Sequence, residues 1–417
     1  MDTRTLEPLP VPEVTTPERR VPPRRWVREN LFSSWFNGVL TVVFAAVLGW
    51  VTYRVARFVF VDARWEIIEV NVTNLLVFDF PRDEIWRLWV ALYLLAGAIG
   101  LGAGIAVRSA RDDPRQERPG SSPRLLTLRR LGPLIAVVAV FLWFARSLPG
   151  TLLVIGVAVT WAAARAAARV VPARYLRWAR IAVFLGVPLA YLVVVAFGGV
   201  GHGSWGGLLL TMFLAVGGIV ISFPFGVLLA LGRRSTLPAV RTVCVAYIEL
   251  FRGVPLIAVL FMGVFMVGFF LPPGSETPSV ETRALVGLVL FTAAYVAEIV
   301  RGGLQSVPRE QTEAAQALGL SPLKTTRLIV LPQALRAVIP ALVGQFISLF
   351  KDTSLVFIVG LTELLAVAEN ITEQPEFFAQ GLFVETLVFA GFVYWAGSYW
   401  MSRESQRLER RLGVGER

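Results

Sequence analysis

The chain has 417 residues, of which 55% are apolar and only 17% are charged. Soluble globular domains have about 45–50% apolar and about 25% charged residues, and the apolar residues of this chain are gathered into long runs. The composition excludes most soluble folds and indicates an integral membrane protein. It also excludes a nucleic-acid partner, because a net charge of +11 on a membrane protein reflects basic cytoplasmic loops and contact with anionic lipid.

The predicted membrane spans come next, in chain order. A helix needs about 20 apolar residues to cross the hydrocarbon core. Ten segments approach or meet this length, and they lie near 32–53, 85–107, 131–146, 150–164, 181–197, 206–231, 240–271, 283–300, 337–361 and 381–401. The third and fourth segments are short, so they form either two crossings or one re-entrant hairpin. Before the first span, residues 1–30 contain six prolines and mixed charge, which predicts a disordered tail.

The arginines of the loops predict the orientation, because cytoplasmic loops carry the excess of basic residues. Arginines are concentrated in 108–130, 165–180, 232–241 and the tail from 403, whereas 272–281 and 369–380 contain acids and no base. The loop 54–84 is mixed and indicates neither side. With ten spans, this alternation places both termini and residues 302–336 in the cytoplasm.

Scarce residue types limit the chemistry. Cys244 is the only cysteine and His202 the only histidine, so an internal disulfide and a cysteine–histidine zinc site are excluded, and no metal site is expected. His202 is expected to be a solvated loop residue rather than a catalytic base. The two lysines, Lys324 and Lys351, do not follow glycine as a phosphate-binding Gly-Lys-Ser/Thr motif requires, so the chain is expected to bind no ATP itself.

The cytoplasmic segment 302–336 is too polar to cross a membrane and too patterned for a linker. Ser306 is expected to cap a first short helix, which Gly319 ends. Ser321 and Pro322 are expected to begin a second helix that leads into the next span. A small helix presented to the cytoplasm suits docking into a groove on another protein.

This segment resembles the EAA loop of binding-protein-dependent ABC importer permeases. The resemblance rests on Glu313-Ala314-Ala315, then Gly319, then Ile329-Val330-Leu331-Pro332. In that family the loop forms a coupling helix that sits in a cleft of the ATPase subunit. The resemblance therefore implies that coupling to the ATPase depends on Glu313, Ala314, Ala315, Gly319, Leu331 and Pro332.

Three further stretches, 249–256, 294–303 and 351–355, narrow the resemblance to the polar amino-acid permeases of the histidine/glutamine type. Val254 and Gln345 depart from the residues common in those permeases, threonine and asparagine, which bears on substrate choice. The resemblance covers about 205–402. The preceding spans resemble those of the general L-amino-acid permeases, which are typically one of two unlike permease subunits.

The resemblance implies an all-α, polytopic membrane helix bundle of about ten spans. Residues 205–402 would form the five-span core of a type I (MetI-like) ABC importer, and 31–200 an N-terminal extension of extra spans. Residues 1–30 and 403–417 would be cytoplasmic tails.

The implied function is that of a permease subunit in an ATP-driven importer of polar L-amino acids of broad range in the bacterial inner membrane. The chain itself would be no enzyme. The implied partners are an ABC ATPase dimer, which holds ATP and Mg²⁺, a second and different permease subunit, a periplasmic substrate-binding protein and membrane lipid. An ion-coupled secondary transporter of small polar solutes is the alternative, and it would leave the loop 302–336 unexplained.

Charged residues near membrane depth are candidates for the substrate pathway, because an amino acid needs polar partners there. Glu298, which has apolar neighbours on both sides, is expected to contact the ammonium group or to shape the pathway, with Tyr295 on the same helical face. Structural pairing and interfacial snorkelling are the alternatives. The remaining candidates are Glu249, Arg252, Lys351, Asp352, Thr353 and Ser354.

Overall fold

The structure is a computed structural model that describes residues 22–111, 148–172, 175–196 and 198–412. These residues form helices and no β-strand, apart from an isolated bridge between Gly207 and Glu363. The chain divides into a first unit, Met1–Arg64, and a second unit, Trp65–Arg417. The all-α membrane fold predicted from the sequence is confirmed.

The α-helices of the described residues are numbered here in chain order. They are α1 (Pro23–Asn30), α2 (Trp35–Arg57), α3 (Glu66–Val77), α4 (Ile85–Arg111), α5 (Leu148–Val170), α6 (Leu176–Val195), α7 (Gly207–Arg233), α8 (Pro238–Gly253), α9 (Leu256–Phe261), α10 (Val280–Ser306), α11 (Arg309–Ala317), α12 (Pro322–Thr325), α13 (Leu331–Asp352), α14 (Leu364–Asn370) and α15 (Phe383–Leu412).

Seven helices of the described residues are long and apolar enough to cross a membrane, or up to eight if a bent pair counts as one span. That pair, Pro238–Gly253 and Leu256–Phe270, bends by 110°, so the segment predicted at 240–271 is a bent pair of helices rather than one straight helix. Pro255 lies in the break between the two helices and supplies no backbone N–H, which explains the bend. Of the other predicted spans, 131–146 lies outside the described residues. The segment 381–401 begins two residues before α15 and otherwise lies within it, and α15 is not among the seven.

In the first unit, α1 replaces part of the predicted tail. Residues 23–30 form a helix, which begins at two prolines and carries an ion pair between Arg25 and Glu29 at 2.7 Å. The prediction of disorder is wrong for this stretch, because Pro23 suits the first helical position and the two charges lie four residues apart. The longer α2 is capped by Ser34, whose hydroxyl accepts from the Asn37 amide at 3.2 Å.

In the second unit, α4 packs against both α5 and α6. Gly100 and Gly104 make the approach to α5 close. A Cβ on Gly100 would lie 2.4 Å from the Trp161 carbonyl oxygen, and one on Gly104 would lie 2.4 Å from the Ala168 Cβ. Small residues four apart are a usual way for membrane helices to approach backbone to backbone.

The core of the second unit is built from α7, α10 and α13, with α15 packed on α13. α3 also belongs to this core, although it lies in the segment 54–84, which was predicted to be a loop between two spans. Its Ile67, Ile68 and Leu75 are fully buried in the cluster that contains Leu364 and Val367 of α14. The mixed-charge segment 54–84 therefore contributes a helix, α3, to the core.

Candidate functional site

The cytoplasmic segment predicted from the sequence contains a short exposed helix, α11. Ala315 faces the rest of the chain and is 4% exposed, whereas Glu313, Ala314 and Ala317 are exposed. Leu318, which caps the helix, is 84% exposed. α11 therefore presents a face of small side chains, an acid and one large apolar side chain.

Gly319 ends α11 in the left-handed conformation, with φ of +80°. Its amide donates to the Gln316 carbonyl at 2.9 Å, and the Leu320 amide donates to the Ala315 carbonyl at 3.1 Å. These two bonds form the Schellman motif, which satisfies the last carbonyls of a helix. The predicted glycine cap is confirmed. Because nothing lies within 4 Å of a Cβ added at Gly319, only the backbone conformation demands glycine there.

The predicted start of this helix is wrong. Ser306 is the last residue of α10, and its hydroxyl donates to the Gly303 carbonyl at 2.9 Å. Pro308 occupies the N-cap position of α11. The helix α10 continues through Gly302, Gly303 and Ser306 and ends before Val307, because Val307 precedes Pro308 and a residue before proline disfavours the helical region.

The second predicted helix is present and is continuous with the following span. Ser321 is the N-cap and Pro322 the first residue of α12, as predicted. A π-helical turn, Thr326–Val330, joins α12 to α13. At this junction Leu331 is half-buried and Pro332 is exposed.

Glu298 lies at the centre of a cluster of arginines. Its Oε1 lies 2.5 Å from Arg301 Nη2, and its Oε2 lies 2.9 Å from Arg301 Nε. Oε2 also lies 3.4 Å from Arg233 Nη1 and 3.9 Å from Arg252 Nη1. Arg233 in turn pairs with Glu249 at 3.0 Å. The structure thus brings together three predicted residues, Glu249, Arg252 and Glu298.

Two further residues belong to this cluster, one that was predicted and one that was not. The Arg252 guanidinium lies 5.9 Å from the Tyr295 ring centroid, so Tyr295 joins the cluster as expected. Arg233 was not predicted as a site residue. It precedes its two acidic partners by 16 and 65 residues, and no local spacing in the sequence signals these contacts.

The second group of candidates, 351–354, makes different contacts. Thr353 is fully buried, and its hydroxyl donates to the Phe350 carbonyl at 2.7 Å, while Ser354 donates to the Lys351 carbonyl at 2.8 Å. Both hydroxyls therefore serve the backbone in this conformation. Within the part of the chain that the structure describes, no ion pair joins Lys351 to Asp352 or either residue to Glu298.

The sequence analysis did not single out one buried carboxylate, that of Glu363. Glu363 is fully buried and caps α14, accepting from the Leu365 and Ala366 amides at 2.8 and 2.9 Å. The Tyr394 hydroxyl donates to it at 2.8 Å. Burial raises the pKa of Glu363, and the amide hydrogen bonds oppose that shift. An acid directly before an apolar helix was the only signal available in the sequence.

His202 is not the solvated loop residue expected. Its Nε2 lies 2.8 Å from the Tyr191 hydroxyl, and its ring stacks on Phe213 at 4.9 Å between centroids. The Trp205 ring also contacts the His202 ring edge-on, with 4.9 Å between the ring centroids. Burial lowers the pKa of His202. The histidine joins α6 to α7 through an aromatic cluster.

A multi-pass bundle with an exposed coupling-type helix between two spans defines a class of membrane transport subunits, and comparisons with known proteins agree. Residues 222–414 match the family described as binding-protein-dependent transport system inner membrane component. The inner membrane amino-acid ABC transporter permease protein YhdY of Escherichia coli (strain K12) is 36% identical over 406 residues, 94% of this chain and 93% of the relative.

A second relative is the glutamate/glutamine/aspartate/asparagine transport system permease protein BztC of Rhodobacter capsulatus, which is 33% identical over 98% of this chain and 97% of the relative. A solved amino acid ABC transporter with histidines is 29% identical, with a TM-score of 0.43, over 49% of this chain and 92% of the solved chain. The chain belongs to the amino-acid ABC transporter permeases.

Family membership settles the class of function. The chain is a transport component and not an enzyme, and it is a multi-pass protein of an inner-membrane family. As an ABC permease it works with an ATPase partner. The ion-coupled secondary transporter, the alternative left open by the sequence, is therefore set aside.

Proposed function

We propose that α11 is the helix through which this permease engages its ATPase subunit. The observation that carries the proposal is the exposed face of α11, on which Glu313, Ala314 and Ala317 stand free of the rest of the chain at an angle set by Gly319. A face of small side chains lets a groove approach the helix backbone closely. ATP and Mg²⁺ would bind to the ATPase dimer, and this chain would hold no cofactor.

The helices after α11 offer a path for the motion. Pro322–Val359 runs as one helical segment from the cytoplasmic loop into the core. A displacement of α11 by closure of the ATPase dimer would reach this segment, because α11 packs on its first turns. Leu331 and Pro332 lie where the π-helical turn ends, so they would transmit the motion of α11 to α13.

Site-directed photo-crosslinking tests this contact. A benzophenone-labelled cysteine at exposed Ala314 should crosslink to the ATPase in a Cys244→Ser background. The same label at buried Ala315 is the matched control and should not reach the ATPase. Crosslinking from neither position, in a complex that retains the ATPase, would reject α11 as the contact.

The cargo is proposed to be acidic amino acids and their amides. Support comes from the Rhodobacter capsulatus relative, which is named for glutamate, glutamine, aspartate and asparagine. The family description supports delivery by a periplasmic substrate-binding protein. A second, different permease subunit would complete the pathway, and both termini of this chain would lie in the cytoplasm. Uptake of a panel of labelled amino acids by the reconstituted complex tests the cargo class.

The contacts of Glu298 favour its predicted role in shaping the substrate pathway over direct contact with the ammonium group. With an arginine on each oxygen, the Glu298 carboxylate is a poor ligand for an ammonium group, whereas its charge attracts the Arg252 guanidinium, which lies 3.9 Å away. Arg252 is exposed, so its guanidinium is the group of this cluster offered to a substrate carboxylate. Lys351 is also exposed and is assigned to the pathway or to the interface with the second permease.

A further inference from the structure

A cavity of about 520 Å³ lies beside the coupling loop and is distinct from the exposed face of α11. Five of its nine lining residues are arginines, and none is acidic. The arginines come from the end of α7 and the residue after it, from α8, from α10 and from the start of α11, and they are Arg233, Arg234, Arg241, Arg301 and Arg309. Its volume falls within the range of small-ligand sites, about 300–1,000 Å³.

The charge of this cavity is only partly compensated. Glu298 and Glu249 neutralise Arg233 and Arg301 from outside the lining. Arg234 donates to the Leu304 carbonyl at 3.0 Å, a contact that leaves its charge unpaired. Among the described residues, no acid pairs with Arg234, Arg241 or Arg309. Three unpaired guanidinium groups around one cavity attract an anion, and their planar forks match phosphate oxygens.

The surface next to the cavity indicates where the anion comes from. Leu237, the N-cap of α8, and Val240 and Val243 within it recur every third residue, and they are 62%, 40% and 68% exposed. They form an apolar stripe beside Arg241, on a helix that bends by 110° away from the next. A helix with an exposed apolar stripe and adjoining arginines is typical of the membrane interface, where lipid phosphates lie.

We propose that this cavity binds a phosphate group, supplied by the headgroup of an anionic phospholipid whose acyl chains lie along the stripe of Leu237, Val240 and Val243. Arg234, Arg241 and Arg309 supply the charge. The bound headgroup bridges the α7–α8 turn and the first residue of α11. The binding does not depend on the proposed ATPase contact, so the two proposals fail separately.

The test measures binding to the purified complete complex by calorimetry, with three probes. They are short-chain phosphatidylglycerol, short-chain phosphatidylcholine and inorganic phosphate. Two variants lower the charge of the cavity, Arg241→Gln alone, which leaves α11 intact, and Arg241→Gln with Arg309→Gln. Arg327→Gln with Arg336→Gln is the matched control, because it removes two exposed charges of the same loop that do not line the cavity.

Phosphatidylglycerol is expected to bind more tightly than phosphatidylcholine. The double cavity variant should weaken this binding about tenfold or more, since hydrogen bonds to charged groups contribute more than a factor of ten in affinity. Arg241→Gln should weaken it by less, and the control should not change it. Inorganic phosphate binding that equals phosphatidylglycerol binding and depends on the same arginines would support the phosphate site with a free anion as its source. Equal losses in cavity and control variants, or no binding until the ATPase is removed, would overturn the proposal.

Discussion

Glu298 and Arg301, three residues apart on α10, form a two-pronged ion pair, with Oε1 to Nη2 at 2.5 Å and Oε2 to Nε at 2.9 Å. The pair is half-buried, and Arg233 and Arg252 approach the same carboxylate. A carboxylate surrounded in this way holds arginines in place, because removing it would leave several like charges close together. The expected role of Glu298 is thus to position Arg252.

We predict that Glu298→Gln lowers uptake by about tenfold or more, because a neutral amide no longer fixes Arg252 against the repulsion of Arg233 and Arg301. The amount of assembled complex should fall much less. Uptake and complex recovery by pull-down are measured together. Glu249→Gln is the control, since Glu249 is more exposed and, among the described residues, its ion pair is with Arg233, so its effect should be smaller. If uptake and recovery decline in proportion, Glu298 is a structural residue.

A second prediction concerns orientation. Single cysteines at Ser275 and Ser321, both exposed, should be labelled from opposite sides of the membrane in a Cys244→Ser background. Position 275 should react with an impermeant maleimide in intact cells, and position 321 only after permeabilisation. The reason is the alternation of arginine-rich and arginine-free loops. Labelling of position 321 in intact cells would reverse the topology.

The fold was predictable wherever a local pattern carries it. Runs of apolar residues located most spans, and Gly319 and Pro322 marked the end of one cytoplasmic helix and the start of the next. Ser306 was wrongly predicted to cap a helix, because α10 continues through it. The bend at Val254 was missed, although Pro255 is a residue that breaks helices.

The site was less predictable, because its contacts join residues far apart in the chain. Glu298 and Arg252 were singled out as charges in apolar surroundings, but their pairing through Arg233 depends on how α7, α8 and α10 pack. The same holds for Asn71 and Gln374, whose side-chain amides exchange hydrogen bonds of 3.0 and 2.8 Å across 303 residues. Hydropathy and spacing contain no information about such pairs.

A third prediction concerns pH. Burial lowers the pKa of His202 in the folded protein below its ordinary value of 6.5, so the unfolded chain binds the proton first as pH falls. The stability contributed by the neutral ring is present above pH 6.5 and is lost as pH falls through 6.5 towards the lower folded pKa.

Thermal unfolding of the purified complex between pH 7.5 and pH 5.5 checks this, and Tm should fall by a few degrees, since ~1 kcal/mol corresponds to about 2–4 °C in a large domain. His202→Phe keeps the stacked ring but cannot be protonated, so part of the pH dependence should disappear. An identical pH dependence in the variant would assign the effect to other groups.

The fourth prediction concerns coupling through α11. A residue with a Cβ adopts the backbone conformation of Gly319 at a cost of roughly 1–2 kcal/mol, and Val adds β-branching, so Gly319→Val should redirect the helix end. Asn tolerates this conformation, so Gly319→Asn should retain most function. Gly302→Val is the second control, because Gly302 has open space and an ordinary φ. Glu313→Lys tests the exposed face itself by reversing its charge.

The most direct measurement is ATP turnover stimulated by loaded binding protein, recorded with the amount of ATPase that co-purifies. Gly319→Val and Glu313→Lys should leave the spans inserted and the second permease bound, while stimulated turnover or ATPase recovery falls about tenfold, as a loss of ~1.4 kcal/mol implies. Gly319→Asn and Gly302→Val should stay near the wild-type values. Wild-type turnover and wild-type ATPase recovery in both Gly319→Val and Glu313→Lys would contradict the assignment of α11 as the coupling helix.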